Sequence, residues 1–230
     1  MQEHEHTHDD DHDNDHHHDH DHDHHGAHGH VAHAPPQPDE KIHSYYQVLG
    51  LALKELLVEK GVITPDEIRR MIEFRDSITP STGAKIVARA WTDPAYKARL
   101  LADGSEAIHE FGLDMGGTHL VVVENTPKVH NVIVCTLCSC YPRNVLGLPP
   151  SWYKQREYRA RVVREPRVVL AEFGTDLPGN VEVRVHDSTA DMRYLVLPMQ
   201  PKGTERMSAE QLEGLITRDC MIGVSLPQGG

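Results

Sequence analysis

Three of the four cysteines in this chain fall inside one six-residue stretch, Cys135-Thr136-Leu137-Cys138-Ser139-Cys140. The stretch follows the apolar run His130-Asn131-Val132-Ile133-Val134 and ends against Tyr141-Pro142. Crowded thiols constrain the fold strongly, because a rigid element has to deliver them together and leave space beside them. The β-branched residues of the preceding run predict a strand, so the cysteines emerge from a strand end.

The spacing limits the chemistry. Cys135 and Cys138 reach one ion as any Cys-x-x-Cys pair does. Cys140 is too close for a second such pair, but the segment Cys138-Ser139-Cys140 offers the backbone nitrogens of Ser139 and Cys140. The sulfur and nitrogen of Cys140 close one chelate ring, the two adjacent nitrogens another, and the Cys138 sulfur with the Ser139 nitrogen a third. With Cys135 at the apex, a small trivalent ion such as Co(III) or low-spin Fe(III) keeps one position open and acts as a Lewis acid. The same three cysteines with the distant Cys220 also fit a closed zinc site or an iron–sulfur site, and spacing alone leaves these open. Taken by itself, Cys220 reads as an ordinary buried cysteine.

Charge is spread unevenly. The chain of 230 residues carries a net charge of −12, of which residues 1–33 hold −10 and no Lys or Arg. A nearly balanced body gives no reason to expect a nucleic-acid partner or a membrane surface. With no spanning run and no signal-like start, the expected compartment is the cytoplasm. There, clustered cysteines point to metal or catalysis before disulfides. Fourteen of the nineteen histidines also lie in residues 1–33, alternating with Asp as in Asp15-His16-His17-His18-Asp19. That composition predicts disorder and a loose affinity for borderline divalent ions. Ala34-Pro35-Pro36-Gln37-Pro38 then predicts a stiff spacer.

The expected organisation is a tail and linker over 1–40, a helical region over 41–112 and an α+β domain over 113–230 carrying the cysteines. The helical arm is expected to precede a layered α/β/β/α arrangement. Tyr45 to Lys60 has helical apolar spacing and Gly61 to close it. Thr64-Pro65-Asp66-Glu67 is a capping box with proline at the first helical position, and Ile68, Met71 and Ile72 line one face of the helix that follows. A third helix is predicted over Ala84–Trp91, and a fourth from Pro94 capped by Asp93. These helices lack catalytic groups, so their apolar stripes are expected to meet the core or a partner subunit. His119–Glu124 and His130–Val134 predict strands around the turn Asn125-Thr126-Pro127-Lys128. Pro166–Phe173 predicts a helix. Val181, Val183 and Val185 alternate with polar residues, and Met192–Met199 is expected as their antiparallel neighbour. Ser208 is expected to cap a last helix running to about Arg218.

Val134-Cys135-Thr136-Leu137-Cys138-Ser139-Cys140-Tyr141-Pro142 resembles the metal-binding signature of the nitrile hydratase α-subunit. Leu146 to Lys154, Arg159 to Arg167, Leu170 to Gly174, Tyr194 to Pro198 and Thr217 to Val224 resemble that family too, so the likeness runs from Tyr45 to Pro227. Thr136 matches the cobalt type, where iron-type members usually carry Ser. Thiocyanate hydrolase has a metal-bearing subunit of the same superfamily with the same signature.

The resemblance implies that the sulfurs of Cys135, Cys138 and Cys140 and the amide nitrogens of Ser139 and Cys140 hold Co(III), with Fe(III) as the alternative. It implies Cys138 as a sulfinic acid and Cys140 as a sulfenic acid, these two being the catalytic residues. The implied reaction is hydration of a small nitrile to the amide, a hydro-lyase activity. The attacking group is either a metal-activated hydroxide or the Cys140 sulfenate oxygen. It further implies a β-subunit in a heterodimer or heterotetramer, without which this chain is inactive, and an activator protein that inserts cobalt. Two positions depart from the family. Asp114-Met115-Gly116-Gly117-Thr118 replaces a segment that often carries Gln, and Arg143 stands where many members have Trp. An arginine there suits an anion or a subunit interface, which keeps thiocyanate hydrolysis as the alternative reading. A non-catalytic zinc or metal-handling protein is the alternative of another class.

Overall fold

A computed structural model describes residues 44–229, so the expectations for the His/Asp tail and its proline spacer lie outside the described residues. The chain divides between Ala52 and Leu53. Helix α1 (Tyr45–Glu59) crosses this point, and everything that positions the cysteines belongs to the second unit.

Local signals decide the helix starts. α2 (Pro65–Ser77) begins with the full capping box: Thr64 Oγ1 accepts from Glu67 N at 3.2 Å, and Glu67 Oε2 accepts from Thr64 N at 2.7 Å. Neither α1 nor α2 buries a residue, so the expected stripe of Met71 and Ile72 faces outward, joined by Phe74. α3 (Pro80–Thr92) starts four residues before the expected Ala84. Thr79 and Thr82 form a second box ahead of Pro80, a start that the first apolar residue conceals. Its buried face is built of small residues around Ile86 and Val87, and a side chain on Gly83 would meet Leu146 Cδ2 at 2.3 Å. α4 (Pro94–Ala102) is capped by Asp93, whose Oδ1 accepts from Ala95 N and Tyr96 N, and α5 (Gly104–Ala107) follows.

Four strands form two separate parallel pairs. β1 (His119–Glu124) pairs with β4 (Met192–Leu197), and β2 (Val129–Val134) with β3 (Glu182–Asp187). The expected antiparallel pairing of the last two strands is therefore wrong. Residues 188–191 carry the chain from one pair to the other instead of folding it back. At one end Ser188 N donates to Val134 O, and at the other His119 N donates to Asp191 O. Residues 125–128 make the same crossing between β1 and β2. Period-two alternation reports which face is buried, not which strand lies alongside.

Buried polar groups pin the crossing. Asn125 Oδ1 accepts from Asn131 N at 2.7 Å and from Asn131 Nδ2 at 3.0 Å, and Asn131 Nδ2 also donates to Glu124 O at 2.8 Å. Such groups are tolerated in a core only when partnered. Around them Val132, Ile133, Val134, Leu195, Val196 and Leu197 are fully buried, each large side chain contributing roughly 1.5–3 kcal/mol before cavity effects.

Helices cover both faces. α6 (Arg143–Leu146) and α7 (Arg156–Arg161) follow the cysteines, and α8 (Pro166–Glu172) lies against β3. The predicted last helix is two: α9 (Ala209–Glu213) stops at Gly214, and Thr217 caps α10 (Arg218–Ile222), Thr217 Oγ1 accepting from Cys220 N. α9 thus stops four residues before the expected Arg218, and a second N-cap at Thr217 starts a separate helix. α4, α5 and α10 pack on β1 and β4, which gives the α/β/β/α layering of an α+β fold. Gly223 ends α10 at φ +92 with its Cα against β2, where any Cβ would lie 2.0 Å from Asn131 O.

Candidate metal centre

β2 carries the cysteines to the end of the second strand pair. Val134 is its last residue, paired with Asp187 of β3, and Cys135 follows, fully buried. The chain then turns outward through Thr136, Leu137 and Cys138. Leu137 is 90% exposed at the tip, and Cys138 is exposed while Cys140 is half-buried. The three sulfurs lie within 4.8 Å of one another. Cys138 Sγ is 3.4 Å from Cys135 Sγ and 3.2 Å from Cys140 Sγ, well beyond the roughly 2.05 Å of a disulfide. All four cysteines are free thiols.

Cys220 stands apart on α10, buried, with its Sγ donating to Thr217 O at 3.0 Å. Among the described residues the metal-competent group is Cys135, Cys138 and Cys140 alone. The four-cysteine alternative therefore loses its fourth ligand. Ser139, the fourth residue of the predicted ligand set, lies between the two outer sulfurs.

The loop is fastened from two sides. On the β3 side, Asp187 Oδ1 accepts from Thr136 N at 2.9 Å and Asp187 Oδ2 from Thr136 Oγ1 at 2.5 Å. On the other side, one segment of the chain holds three carbonyls of the loop and, apart from them, that of Ile133 in β2. Tyr158 OH donates to Ile133 O at 2.7 Å, and Tyr153 OH to Cys140 O at 2.9 Å. Arg159 Nη1 donates to Cys138 O at 2.9 Å and to Thr136 O at 3.3 Å. Aromatic contacts keep this segment in place: the Trp152 ring centre is 4.8 Å from that of Tyr158 and 4.7 Å from that of Phe173. Such pairs add about 0.5–1.5 kcal/mol each. Asp187, Tyr153 and Arg159 are the residues that sequence reasoning left without a role, because their contacts span 13 to 51 positions.

The cluster gathers negative charge readily at one sulfur. Hydrogen bonds from the Cys140 and then the Cys135 thiol, helped by the N–H groups of Ser139 and Cys140, bring the Cys138 thiol down to about 7. Burial, followed by the same sharing with Cys138, pushes Cys140 up to about 12. Three sulfurs crowded this closely form a group that could hold one metal ion.

A sequence model described as "Nitrile hydratase, alpha chain" matches residues 44–225. The chain belongs to this family. The α-subunit of low-molecular-weight cobalt-containing nitrile hydratase from Rhodococcus rhodochrous is 51% identical over 203 residues, covering 87% of this chain and 96% of that one. Thiocyanate hydrolase subunit gamma from Thiobacillus thioparus is 41% identical over 207 residues, covering 85% of each. A solved Fe-type nitrile hydratase from Comamonas testosteroni Ni1 superposes with a TM-score of 0.70 at 46% identity, covering 80% of this chain and 93% of that one. Within this nitrile hydratase α-chain fold, the departure at Arg143 lies at the start of α6. It lines a cleft of about 630 Å³ with Arg75 and Arg218, and none of the clustered cysteines lines that cleft.

Proposed function

We propose that this chain is the metal-bearing subunit of a cobalt nitrile hydratase that converts nitriles to amides. The observation that carries this is the cluster of three sulfurs on a Cys-Ser-Cys spacing, in a chain of this family with Thr136 after the first cysteine. Cys135, Cys138 and Cys140 would hold the ion through sulfur, and Ser139 and Cys140 through their amide nitrogens. Bound there, trivalent cobalt supplies Lewis acidity. The chain's own part is to present the donors on an anchored loop, with Cys135 sealed beneath and Cys138 and Cys140 facing outward. Oxidation of Cys138 to the sulfinic acid and of Cys140 to the sulfenic acid would put polar oxygens on that open side.

The open side also supports a partner. Leu137 at the tip and the bare apolar residues of α2 are surfaces a second subunit would cover, and activity is expected only in that assembly. Delivery of cobalt by an activator protein and a cytoplasmic setting belong to the same reading. Among the described residues, no helix is long and apolar enough to cross a membrane.

Co-expression and co-purification with a nitrile hydratase β-subunit, followed by metal analysis and assays on a neutral nitrile and on thiocyanate, tests this reading. Cobalt, three added oxygens on the motif peptide and turnover of the nitrile support it. Zinc or unmodified cysteines in an active preparation would overturn it. Efficient turnover of thiocyanate alone would favour the second reading, which rests on Arg143.

A further inference from the structure

The carbonyl bonds around the cysteine loop form a pattern. Every second carbonyl near the turn, those of Thr136, Cys138 and Cys140, points away from the sulfurs and into a donor of the segment Tyr153–Arg159. A trans peptide is planar, and its C=O and N–H point to opposite sides. Holding the Cys138 oxygen outward therefore turns the Ser139 nitrogen inward.

We propose that Arg159 is a positioning residue for metal binding: its guanidinium, by gripping the Cys138 and Thr136 carbonyls, aims the Ser139 nitrogen at the ion. This rests on the ligand set given above, in which that nitrogen is a donor. Arg159 also carries charge to the right place. A peptide nitrogen that binds a metal gives up its proton, and resonance passes part of the resulting charge to its carbonyl oxygen. For Ser139 that oxygen belongs to Cys138, 2.9 Å from Nη1. Three thiolates and two such nitrogens bring more negative charge than a trivalent ion cancels, so a fixed cation at this oxygen favours the complete set. The half-buried Arg159 has its Nε buried without a hydrogen-bond partner, and Nη1 makes both carbonyl bonds.

The test uses the assembled two-subunit protein, as wild type, Arg159→Gln, Arg159→Lys and Tyr158→Phe. Cobalt per chain, the sulfur-to-cobalt absorption band and the rate of cobalt loss to a chelator are measured. Arg159→Gln is expected to weaken cobalt retention between about 10- and 100-fold, as loss of a residue that orients metal ligands does, and to shift the band. Arg159→Lys, which keeps a cation near the oxygen, is expected to recover part of both. Tyr158→Phe removes a bond from the same segment to Ile133, outside the motif, and is expected to leave band and retention unchanged. The inference is overturned if Arg159→Gln matches wild type, or if Tyr158→Phe matches Arg159→Gln, since the segment would then matter only as support. Wild-type complex without cobalt or its band would instead bring down the functional reading along with the inference.

Discussion

Asp187 grips Thr136 with both carboxylate oxygens, taking the backbone N–H at 2.9 Å and the hydroxyl at 2.5 Å. The pair joins the end of β3 to the first residue after Cys135, so the sheet register is passed directly to the cysteine loop. Thr136 therefore acts as a tether for the loop. Asp187→Asn keeps one acceptor and loses the charge. Asp187 is exposed, so the expected cost is modest, about 1 kcal/mol. At 1.36 kcal/mol per factor of ten this means roughly fivefold faster cobalt loss to a chelator. Retention equal to wild type would show that the loop holds its shape without this tether.

The parts of the molecule that were legible in the sequence are those decided within a few residues. Thr64 and Asp93 as caps, proline at the first helical position and the two β-branched runs needed no long-range knowledge. Strand partners did need it. β2 pairs with a strand about fifty residues away, and the alternation at Val181, Val183 and Val185 is compatible with either neighbour. The stripe on α2 shows a related limit, since helical spacing identifies an apolar face but not whether this chain or another covers it. At the site, the cysteines announced themselves by crowding. Arg159 and Asp187 are charged residues in charged surroundings, and only the fold shows that they reach the same loop.

The clustered thiols should differ sharply in reactivity before metal binds. Cys138 is exposed and its thiol lies near 7, whereas Cys140 is pushed up to about 12 and Cys135 is buried. The thiolate is the reactive form. In metal-free reduced protein, iodoacetamide is expected to modify Cys138 first, with a rate that rises through about pH 7. Peptide mass mapping at short times checks this, and Cys140 labelled as fast as Cys138 would contradict it. Cobalt loading should abolish the reaction.

His130 predicts how stability responds to acid. Its Nε2 lies 2.7 Å from Gly223 O and its Nδ1 3.3 Å from Asn125 Nδ2. Asn125 has its orientation set by the two donors of Asn131, so its amide N–H faces His130. Nδ1 must then accept and Nε2 donate, which only the neutral ring does. Burial lowers the His130 pKa, and burial with the nearby Arg184 lowers that of His186. As pH falls, the unfolded chain takes up these protons first. The stability they contribute is complete above about 6.5 and declines below it, levelling off only under the folded-state values. Urea midpoints should therefore drop between pH 7.5 and 5.5, and His130→Gln should show a shallower drop. Midpoints independent of pH over this window would refute the assignment.

The tail makes the last prediction, from composition alone, since residues 1–33 lie outside the described residues. Fourteen histidines interleaved with aspartates offer neutral imidazoles and carboxylates, a donor mixture that suits Co, Ni and Zn in their divalent states. The donor set proposed for the cysteine loop, thiolates with amide nitrogens, would hold a trivalent ion much more tightly. The two places should therefore separate by pH. Protonation near the ordinary histidine value of about 6.5 takes the tail from −10 to about +4 and expels divalent ions, while cobalt in the cysteine loop stays. Dialysis at pH 5.5 is expected to strip the excess metal and leave one cobalt per chain. Deleting residues 1–33 should remove the same acid-labile fraction without changing turnover per bound cobalt when cobalt is plentiful. With cobalt scarce, the deletion should lower loading. A drop in turnover per cobalt under ample supply would mean that the tail takes part in the reaction site itself.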